Sequence, residues 1–251
     1  MRQKLGQHFL HKISYLQKIA EAACPARTPL VIEIGAGKGA LTELLLERAD
    51  RVIAIEIDPE MVKLLLVRFA GNHKLKIVAQ DILATDLTQW GPAVVVGNLP
   101  YYITSPIIER TLAMGKVLHH AVFLIQKEVA ERLTAKPCTR EYGFLTVATQ
   151  LAAETKKLFK VPPSAFSPPP KVDSAVVLVT PRRNEGEPAP DPTPLLAFVG
   201  LCFRQKRKTL RNNLGHIFGD ELVQTLPEAG QRAEQLTIEQ FRSLYRRITG
   251  G

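Results

Sequence analysis

Residues 30–45 read LVIEIGAGKGALTELL. The apolar run from Leu30 to Ile34 predicts a buried strand, and the leucines after Ala40 recur at helical spacing. The three glycines between them allow positive φ, and they let a ligand approach the backbone amides at the start of the helix. This strand, turn and helix therefore predict a site for a nucleotide-like cofactor. A tight turn that binds no ligand is the alternative interpretation.

Acidic residues stand at the strand ends around this turn. Glu33 lies in the first strand, Glu56 follows an apolar run that ends at Ile55, and Asp81 follows another that ends at Ala79. Glu56 has the spacing from the glycines at which nucleotide-binding α/β folds carry the acid that binds both ribose hydroxyls. Asp81 can accept a hydrogen bond from an adenine amino group, or it can cap a helix. The alternation of strands and helices predicts an α/β fold with a parallel sheet covered on both faces.

A polar and aromatic tetrapeptide, Asn98-Leu99-Pro100-Tyr101, follows the next apolar run. The Asn98 amide oxygen and the Pro100 carbonyl can accept both hydrogens of a planar NH2 group, and the Tyr101 ring can stack on the base that carries it. The tetrapeptide therefore predicts a site for the exocyclic amine of a base. A strand that ends in a proline turn, with Tyr101 as a packing residue, is the alternative.

Five prolines make the segment 159–174 a stiff, extended loop that leads into a strand. Such a loop can hold Phe166 in a fixed place. Two interpretations of Phe166 stay open: it forms the second wall of a base pocket, or it packs in the core.

Charge, cysteine content and hydropathy favour some classes of protein and argue against others. The 33 Lys and Arg against 24 Asp and Glu give a net charge of +9 and a pI near 9.6, which suits a polyanionic partner. The three cysteines, Cys24, Cys138 and Cys202, are far apart, which argues against a disulfide framework or a metal site and fits a reducing cytoplasm. No apolar stretch approaches the roughly 20 residues of a membrane span, and the charged N-terminus does not resemble a signal peptide.

Three regions divide the chain in this prediction. Residues 1–181 form the cofactor-binding domain, residues 182–194 form a polar linker, and residues 195–251 form a small, basic helical domain. Five positive charges in this last region suit contacts with RNA phosphates, although such a run can also be a solvated face. They are Arg204, Lys206, Arg207, Lys208 and Arg211.

Taken together, these motifs resemble the small-subunit ribosomal RNA adenine N6-dimethyltransferases, the KsgA/Dim1 group, with the Erm methyltransferases as nearest relatives. The resemblance covers nearly the whole chain. It is carried by Gln7-His8-Phe9-Leu10, by residues 33–42, by Asn98 to Tyr101, and by residues 166–174, with Glu56 and Asp81 between them. It implies a Rossmann-like class I methyltransferase sheet that uses S-adenosylmethionine to dimethylate N6 of adenines in small-subunit (16S) rRNA during ribosome biogenesis. The implied partner is this rRNA or a 30S precursor particle, and a monomer is the default expectation.

The resemblance also implies the roles of individual residues. The cofactor would be bound by His8, Leu10, Gly35, Glu56, Asp81 and Asn98, with Glu56 on the ribose and Asp81 near the adenine. The family commonly has asparagine where this chain has His8, so a backbone contact is better supported there than a side-chain contact. The target adenine would be held by Asn98, Pro100 and Tyr101, with Phe166 as a second stacking partner.

Three other functions fit part of the sequence. An NAD-dependent oxidoreductase would explain the glycines and Glu56, but it leaves Asn98 to Tyr101 without a role. An RNA-binding assembly factor without catalysis would explain the basic residues, and an Erm-type enzyme would act on the large subunit instead. The basic segment 203–214 favours the small-subunit enzymes over the Erm group.

Overall fold

The computed structural model describes residues 8–182 and 193–250. Two compact units make up the chain. The first runs up to Ala130 and resumes over Ala153–Pro181, and the second comprises Glu131–Ala152 together with the residues from Arg182 onward. Residues 183–192 of the predicted linker, Gln7 of the N-terminal motif and Gly251 lie outside the described residues.

The first unit consists of a β-sheet flanked by helices. Its strands are β1 (Phe9–Leu10), β2 (Thr28–Ile34), β3 (Ala49–Glu56), β4 (Leu75–Ala79), β5 (Ala93–Asn98), β6 (Leu118–Gln126), β7 (Ala153–Val161), β8 (Phe166–Ser167) and β9 (Ser174–Pro181). Its helices are α1 (Ile13–Ala23), α2 (Ala40–Arg48), α3 (Pro59–Arg68) and α4 (Thr104–Leu112), and α5 (Lys127–Leu133) runs on into the second unit.

The strand order places two strand ends side by side. Seven strands pair in the order β4-β3-β2-β5-β6-β9-β7; the first five are parallel, and β9 and β7 are antiparallel to their neighbours. The chain moves outward from β2 to β3 and β4, and then returns to the other side of β2 as β5. Ligands bind at such a reversal point in open α/β sheets, beyond the carboxyl ends of the strands.

The close pairing of β2 and β5 depends on Gly97. A Cβ atom at this position would lie 2.6 Å from the Ile34 carbonyl oxygen, so a larger residue would push the two strands apart. The central strands are almost entirely buried, as expected for parallel strands covered on both faces. Their apolar side chains pack against α1 and α2 in a cluster that includes Val31, Val94 and Leu45.

The second unit is helical. After the end of α5 it contains α6 (Phe144–Ala152), α7 (Thr193–Cys202), α8 (Leu210–Phe218), α9 (Asp220–Gln224) and α10 (Ile238–Thr249). The sequence analysis placed residues 131–152 in the cofactor-binding domain, but they belong to this unit. Tyr142 shows why, because its ring is fully buried among the helical side chains and its hydroxyl donates to the Leu236 carbonyl oxygen at 2.7 Å. Over residues 8–182 and 193–250, no helix combines the length and apolarity needed to cross a membrane.

Candidate active site

A cavity of about 510 Å³ opens in the first unit beyond the carboxyl ends of β2, β3 and β5. All the predicted cofactor residues line it, together with most of the predicted base-binding residues. They are His8, Leu10, Gly35, Glu56, Asp81, Asn98, Pro100 and Tyr101. The structure thus brings together residues that are up to 93 positions apart in the chain, His8 and Tyr101 being the most distant pair.

The glycine turn is held by the Glu56 carboxylate. Its Oε2 accepts a hydrogen bond from the Gly37 amide at 2.8 Å, and its Oε1 accepts from the Ile57 and Asp58 amides at 2.9 Å each. Gly37 has a φ of 54°, and a Cβ atom there would lie 3.1 Å from the Phe9 ring. A carboxylate offers about four acceptor positions, so one remains for a ribose hydroxyl, and a second hydroxyl must displace an amide. The turn and Glu56 therefore fit a nucleoside-type cofactor.

Glu33 lines the same cavity, although it was not among the predicted cofactor residues. Its side chain is only 1% exposed, and its Oε2 accepts a hydrogen bond from the Thr42 hydroxyl at 2.6 Å. Burial raises the pKa of Glu33 to about 7; the Thr42 hydrogen bond acts in the opposite direction, and the Glu56 charge adds a smaller increase. A cation in the cavity would favour the ionised form of this carboxyl.

Asp81 has a capping role in addition to its place in the cavity wall. Its Oδ1 accepts a hydrogen bond from the Leu83 amide at 2.9 Å and caps the 3-10 turn Ile82–Ala84. The contact between Asp81 Oδ1 and the Leu83 amide is therefore the helix cap that the sequence analysis gave as the alternative. The second carboxylate oxygen, Oδ2, does not take part in this cap. Asp81 is exposed, so a ligand amino group can reach it from the cavity.

Asn98 ends β5, and a backbone contact orients its amide. The Nδ2 atom donates to the His8 carbonyl oxygen at 3.0 Å, which leaves Oδ1 as an acceptor for a ligand. The His8 side chain makes separate contacts: its Nδ1 lies 2.8 Å from the Pro168 carbonyl oxygen, and its ring stacks on the Tyr101 ring with centroids 5.8 Å apart. The backbone of the N-terminal segment thus fixes which way the Asn98 amide faces.

Pro100 and Tyr101 are both engaged by neighbouring side chains. The Pro100 carbonyl accepts from the buried Thr104 hydroxyl at 3.1 Å and from the Ile103 amide at 3.3 Å. The Tyr101 hydroxyl lies 2.9 Å from Oγ of the buried Ser174, and burial raises the pKa of this phenol. Tyr101 therefore presents a neutral ring in a fixed position, whereas the Pro100 carbonyl must give up an internal donor before it can accept another.

Phe166 does not line the cavity and is 3% exposed. It packs in the main hydrophobic cluster with Leu10 and Ala165, and its backbone pairs with Leu10 where β8 meets β1. The second wall of the base pocket stays a prediction for Phe166, and in this structure its ring packs as the core alternative describes. The physical reason is that the short β1–β8 ladder turns the ring inward while it anchors the N-terminal segment over the glycine turn.

The five predicted RNA-binding residues lie in the second unit, and all are exposed. Arg204 to Lys208 form a turn between α7 and α8, and Arg211 lies in the first turn of α8. Lys206 is held within the unit, because its Nζ donates to the Arg140 carbonyl oxygen at 2.6 Å. The sequence analysis assigned no role to Asn213, which is buried and donates to the Cys202 and Gln205 carbonyl oxygens. It fixes the shape of the basic turn.

The fold and the site define a class I methyltransferase, and two solved structures share this architecture. A dimethyladenosine transferase from Plasmodium falciparum matches 94% of this chain and 96% of its own, with a TM-score of 0.81 and 28% identity. The 23S rRNA methyltransferase ErmE matches 96% of this chain and 99% of its own, with a TM-score of 0.75 and 29% identity.

The sequence comparisons are more specific. The family model described as ribosomal RNA adenine dimethylase matches residues 1–249. The ribosomal RNA small subunit methyltransferase A of Acidobacterium capsulatum is 41% identical over 98% of this chain and 90% of its own. That of Legionella pneumophila is 38% identical over 99% of this chain and 98% of its own. The chain belongs to the ribosomal RNA adenine dimethylase family.

Membership in this family confirms the predicted resemblance, the fold class and the enzyme class. The protein is an rRNA adenine dimethyltransferase, and S-adenosylmethionine is its methyl donor. The NAD-dependent oxidoreductase is thereby excluded.

Proposed function

We propose that this enzyme dimethylates N6 of adenines in small-subunit (16S) rRNA, and that Asn98 is the residue on which the transfer depends most. The observation that carries this proposal is the Asn98 amide, which the His8 carbonyl turns so that Oδ1 is an acceptor at the cofactor cavity. The small subunit is favoured over the large one because relatives named for small-subunit methylation reach 41% identity, whereas ErmE reaches 29%.

The chemical difficulty lies in the nucleophile. The lone pair of N6 is delocalised into the adenine ring, so the nitrogen attacks poorly until it becomes tetrahedral. An acceptor on an N6 hydrogen favours that change and the positive charge that develops on nitrogen. When bound, S-adenosylmethionine supplies a sulfonium methyl group. The residues of the chain bind and orient the amine, and no strong base is needed because the methylated nitrogen becomes acidic.

The other base-binding residues have separate tasks in this proposal. Tyr101 stacks on the adenine, and Ser174 holds the Tyr101 hydroxyl. Pro100 accepts the other N6 hydrogen only if the Thr104 hydroxyl turns away. After the first transfer N6 carries a single hydrogen, so Asn98 alone satisfies the amine in the second transfer. The pocket must then hold one methyl group in place of a hydrogen.

RNA binding is assigned to the basic turn of the second unit. Arg204, Arg207, Lys208 and Arg211 are exposed and close in sequence, so they can contact phosphates. Lys206 is held by the Arg140 carbonyl oxygen and by the Glu234 carboxylate, so a phosphate must compete with Glu234 for its charge. We further propose a cytoplasmic monomer that acts on a 30S precursor particle. The free thiols of Cys24, Cys138 and Cys202 suit a reducing compartment.

Transfer of a radiolabelled methyl group from S-adenosylmethionine tests this function. The enzyme is incubated with unmodified 30S particles and, separately, with naked large-subunit RNA, and the labelled nucleosides are separated after nuclease digestion. We expect N6,N6-dimethyladenosine from the 30S sample. Label in the large-subunit sample alone would assign the chain to the Erm reaction, and cofactor binding without transfer to either sample would contradict the proposed substrate.

A further inference from the structure

The buried hydroxyl of Thr104 lies directly behind the part of the cavity wall that Pro100 forms. Thr104 is 3% exposed and does not line the cavity, yet its Oγ1 donates to the Pro100 carbonyl oxygen at 3.1 Å. We propose that this hydroxyl is a positioning group that sets the rate of the second methyl transfer relative to the first. The inference rests on the proposed function, in which the Pro100 carbonyl accepts one hydrogen of the target amine.

Both acceptor positions of the Pro100 carbonyl oxygen are occupied before the substrate binds. A carbonyl oxygen has two lone pairs, and here the Ile103 amide at 3.3 Å and the Thr104 hydroxyl at 3.1 Å engage them. An incoming amine must therefore displace one of these donors. The Ile103 amide is fixed by the backbone of the 3-10 turn Tyr101–Ile103, so the hydroxyl is the donor that gives way.

A second acceptor for the hydroxyl is already close by. Thr104 Oγ1 lies 3.5 Å from the Tyr101 carbonyl oxygen, at the long limit of a hydrogen bond, so the hydroxyl hydrogen can turn to that oxygen with almost no movement of heavy atoms. A buried hydroxyl without any acceptor would be costly, and the Tyr101 carbonyl lowers this cost. The donor can thus leave Pro100 and return to it as the number of hydrogens on the amine changes.

The two transfers make different demands on the Pro100 carbonyl. In the first, N6 carries two hydrogens, so Asn98 Oδ1 and the Pro100 carbonyl each accept one while the Thr104 hydroxyl turns away. In the second, N6 carries one hydrogen and one methyl group; Asn98 accepts the hydrogen, and the methyl group donates no hydrogen bond to Pro100. The adenine keeps water from the carbonyl at this stage, so the Thr104 hydroxyl is the donor that keeps it paired.

Removal of the hydroxyl tests this proposal. Thr104→Val replaces it by a methyl group at nearly constant shape, Thr104→Ala removes it in a smaller side chain, and Thr104→Ser keeps it. Thr111→Val is the matched control, because Thr111 is a buried residue of the same helix and its hydroxyl donates to the Ile107 carbonyl oxygen at 2.8 Å.

Each enzyme is mixed in excess with unmodified 30S particles and labelled S-adenosylmethionine. The amounts of N6-methyladenosine and N6,N6-dimethyladenosine are followed over time, which gives the rates of both transfers. The Kd for S-adenosylmethionine is measured on the same preparation.

We expect Thr104→Val and Thr104→Ala to slow the second transfer about tenfold relative to the first, within the range for leaving one buried acceptor without a partner, so N6-methyladenosine accumulates. Thr104→Ser and Thr111→Val should follow the time course of the wild type. All four variants should bind S-adenosylmethionine within about twofold of the wild type.

An unchanged ratio of the two rates in Thr104→Val and Thr104→Ala would overturn the proposal. Slowing of both transfers by the same factor would also overturn it, because Thr104 would then only support the fold. A ratio that shifts equally in Thr104→Ser would assign the effect to the methyl group of Thr104 instead of its hydroxyl. Failure of the wild-type enzyme to label 30S particles would overturn the proposed function itself.

Discussion

Replacement of Glu33 by glutamine should remove a pH dependence from the free energy of unfolding. Glu33 is buried at the cavity, and its pKa rises from 4.5 to about 7 on folding. A group whose pKa is raised in the folded state binds more protons there than in the unfolded chain, so stability falls as the pH rises through this window. At about 1.4 kcal/mol per pH unit, the shift corresponds to roughly 3 kcal/mol. The loss is absent below pH 4.5 and complete above pH 7.

Urea denaturation of the cofactor-free protein at pH 4.5, 6 and 8 measures this effect. The Glu33→Gln variant keeps an oxygen that accepts from the Thr42 hydroxyl, so the packing and that hydrogen bond are retained. We expect the variant to be more stable than the wild type at pH 8, by up to about 3 kcal/mol, and the difference to shrink towards pH 4.5.

The matched control is Glu47→Gln, because Glu47 is an exposed carboxylate on α2, the helix that also carries Thr42. This variant should show the same pH dependence as the wild type. A difference in stability between Glu33→Gln and the wild type that is the same at every pH would show that the pKa of Glu33 does not rise on folding. A variant less stable than the wild type at pH 8 would also contradict it, because the ionised carboxyl would then be a favourable contact.

Two further predictions concern cofactor and RNA binding. Glu56→Gln should weaken S-adenosylmethionine binding about 10- to 100-fold, because the Gly37 and Ile57 amides lose a charged acceptor. Calorimetry measures the Kd, and an unchanged Kd would contradict the role of Glu56. Combined replacement of Arg207 and Lys208 by alanine should flatten the salt dependence of RNA binding by about 0.7 to 0.9 in log–log slope for each lost phosphate contact. The slope comes from binding titrations at several salt concentrations, and an unchanged slope would mean that these side chains face solvent in the complex.

The pattern of apolar and polar residues was enough to predict the site residues that lie at the ends of strands. Glu56 and Asn98 each follow a buried apolar run, and parallel strands bring such positions to one edge of the sheet. The glycine turn was predictable for the same reason, since a strand, a turn and a helix are contiguous in the sequence. These features depend on neighbours that are only a few residues away.

Contacts that depend on the tertiary structure explain what the sequence analysis left open or did not predict. Phe166 faces the core because β8 pairs with β1, which is more than 150 residues away in the chain. The Pro100 carbonyl is engaged by the Thr104 hydroxyl, a contact that depends on how the 3-10 turn Tyr101–Ile103 leads into α4. None of these arrangements has a short sequence signature.

The decisive measurement on Asn98 is the rate of methyl transfer by the Asn98→Ala variant to unmodified 30S particles, with the Kd for S-adenosylmethionine measured on the same preparation. We expect a loss of transfer of about 100- to 1,000-fold, the usual effect of removing one transition-state hydrogen-bond partner, with the Kd within about threefold of the wild type. A rise in Kd that accounts for the whole loss of transfer would contradict it, because Asn98 would then hold the cofactor and not the amine.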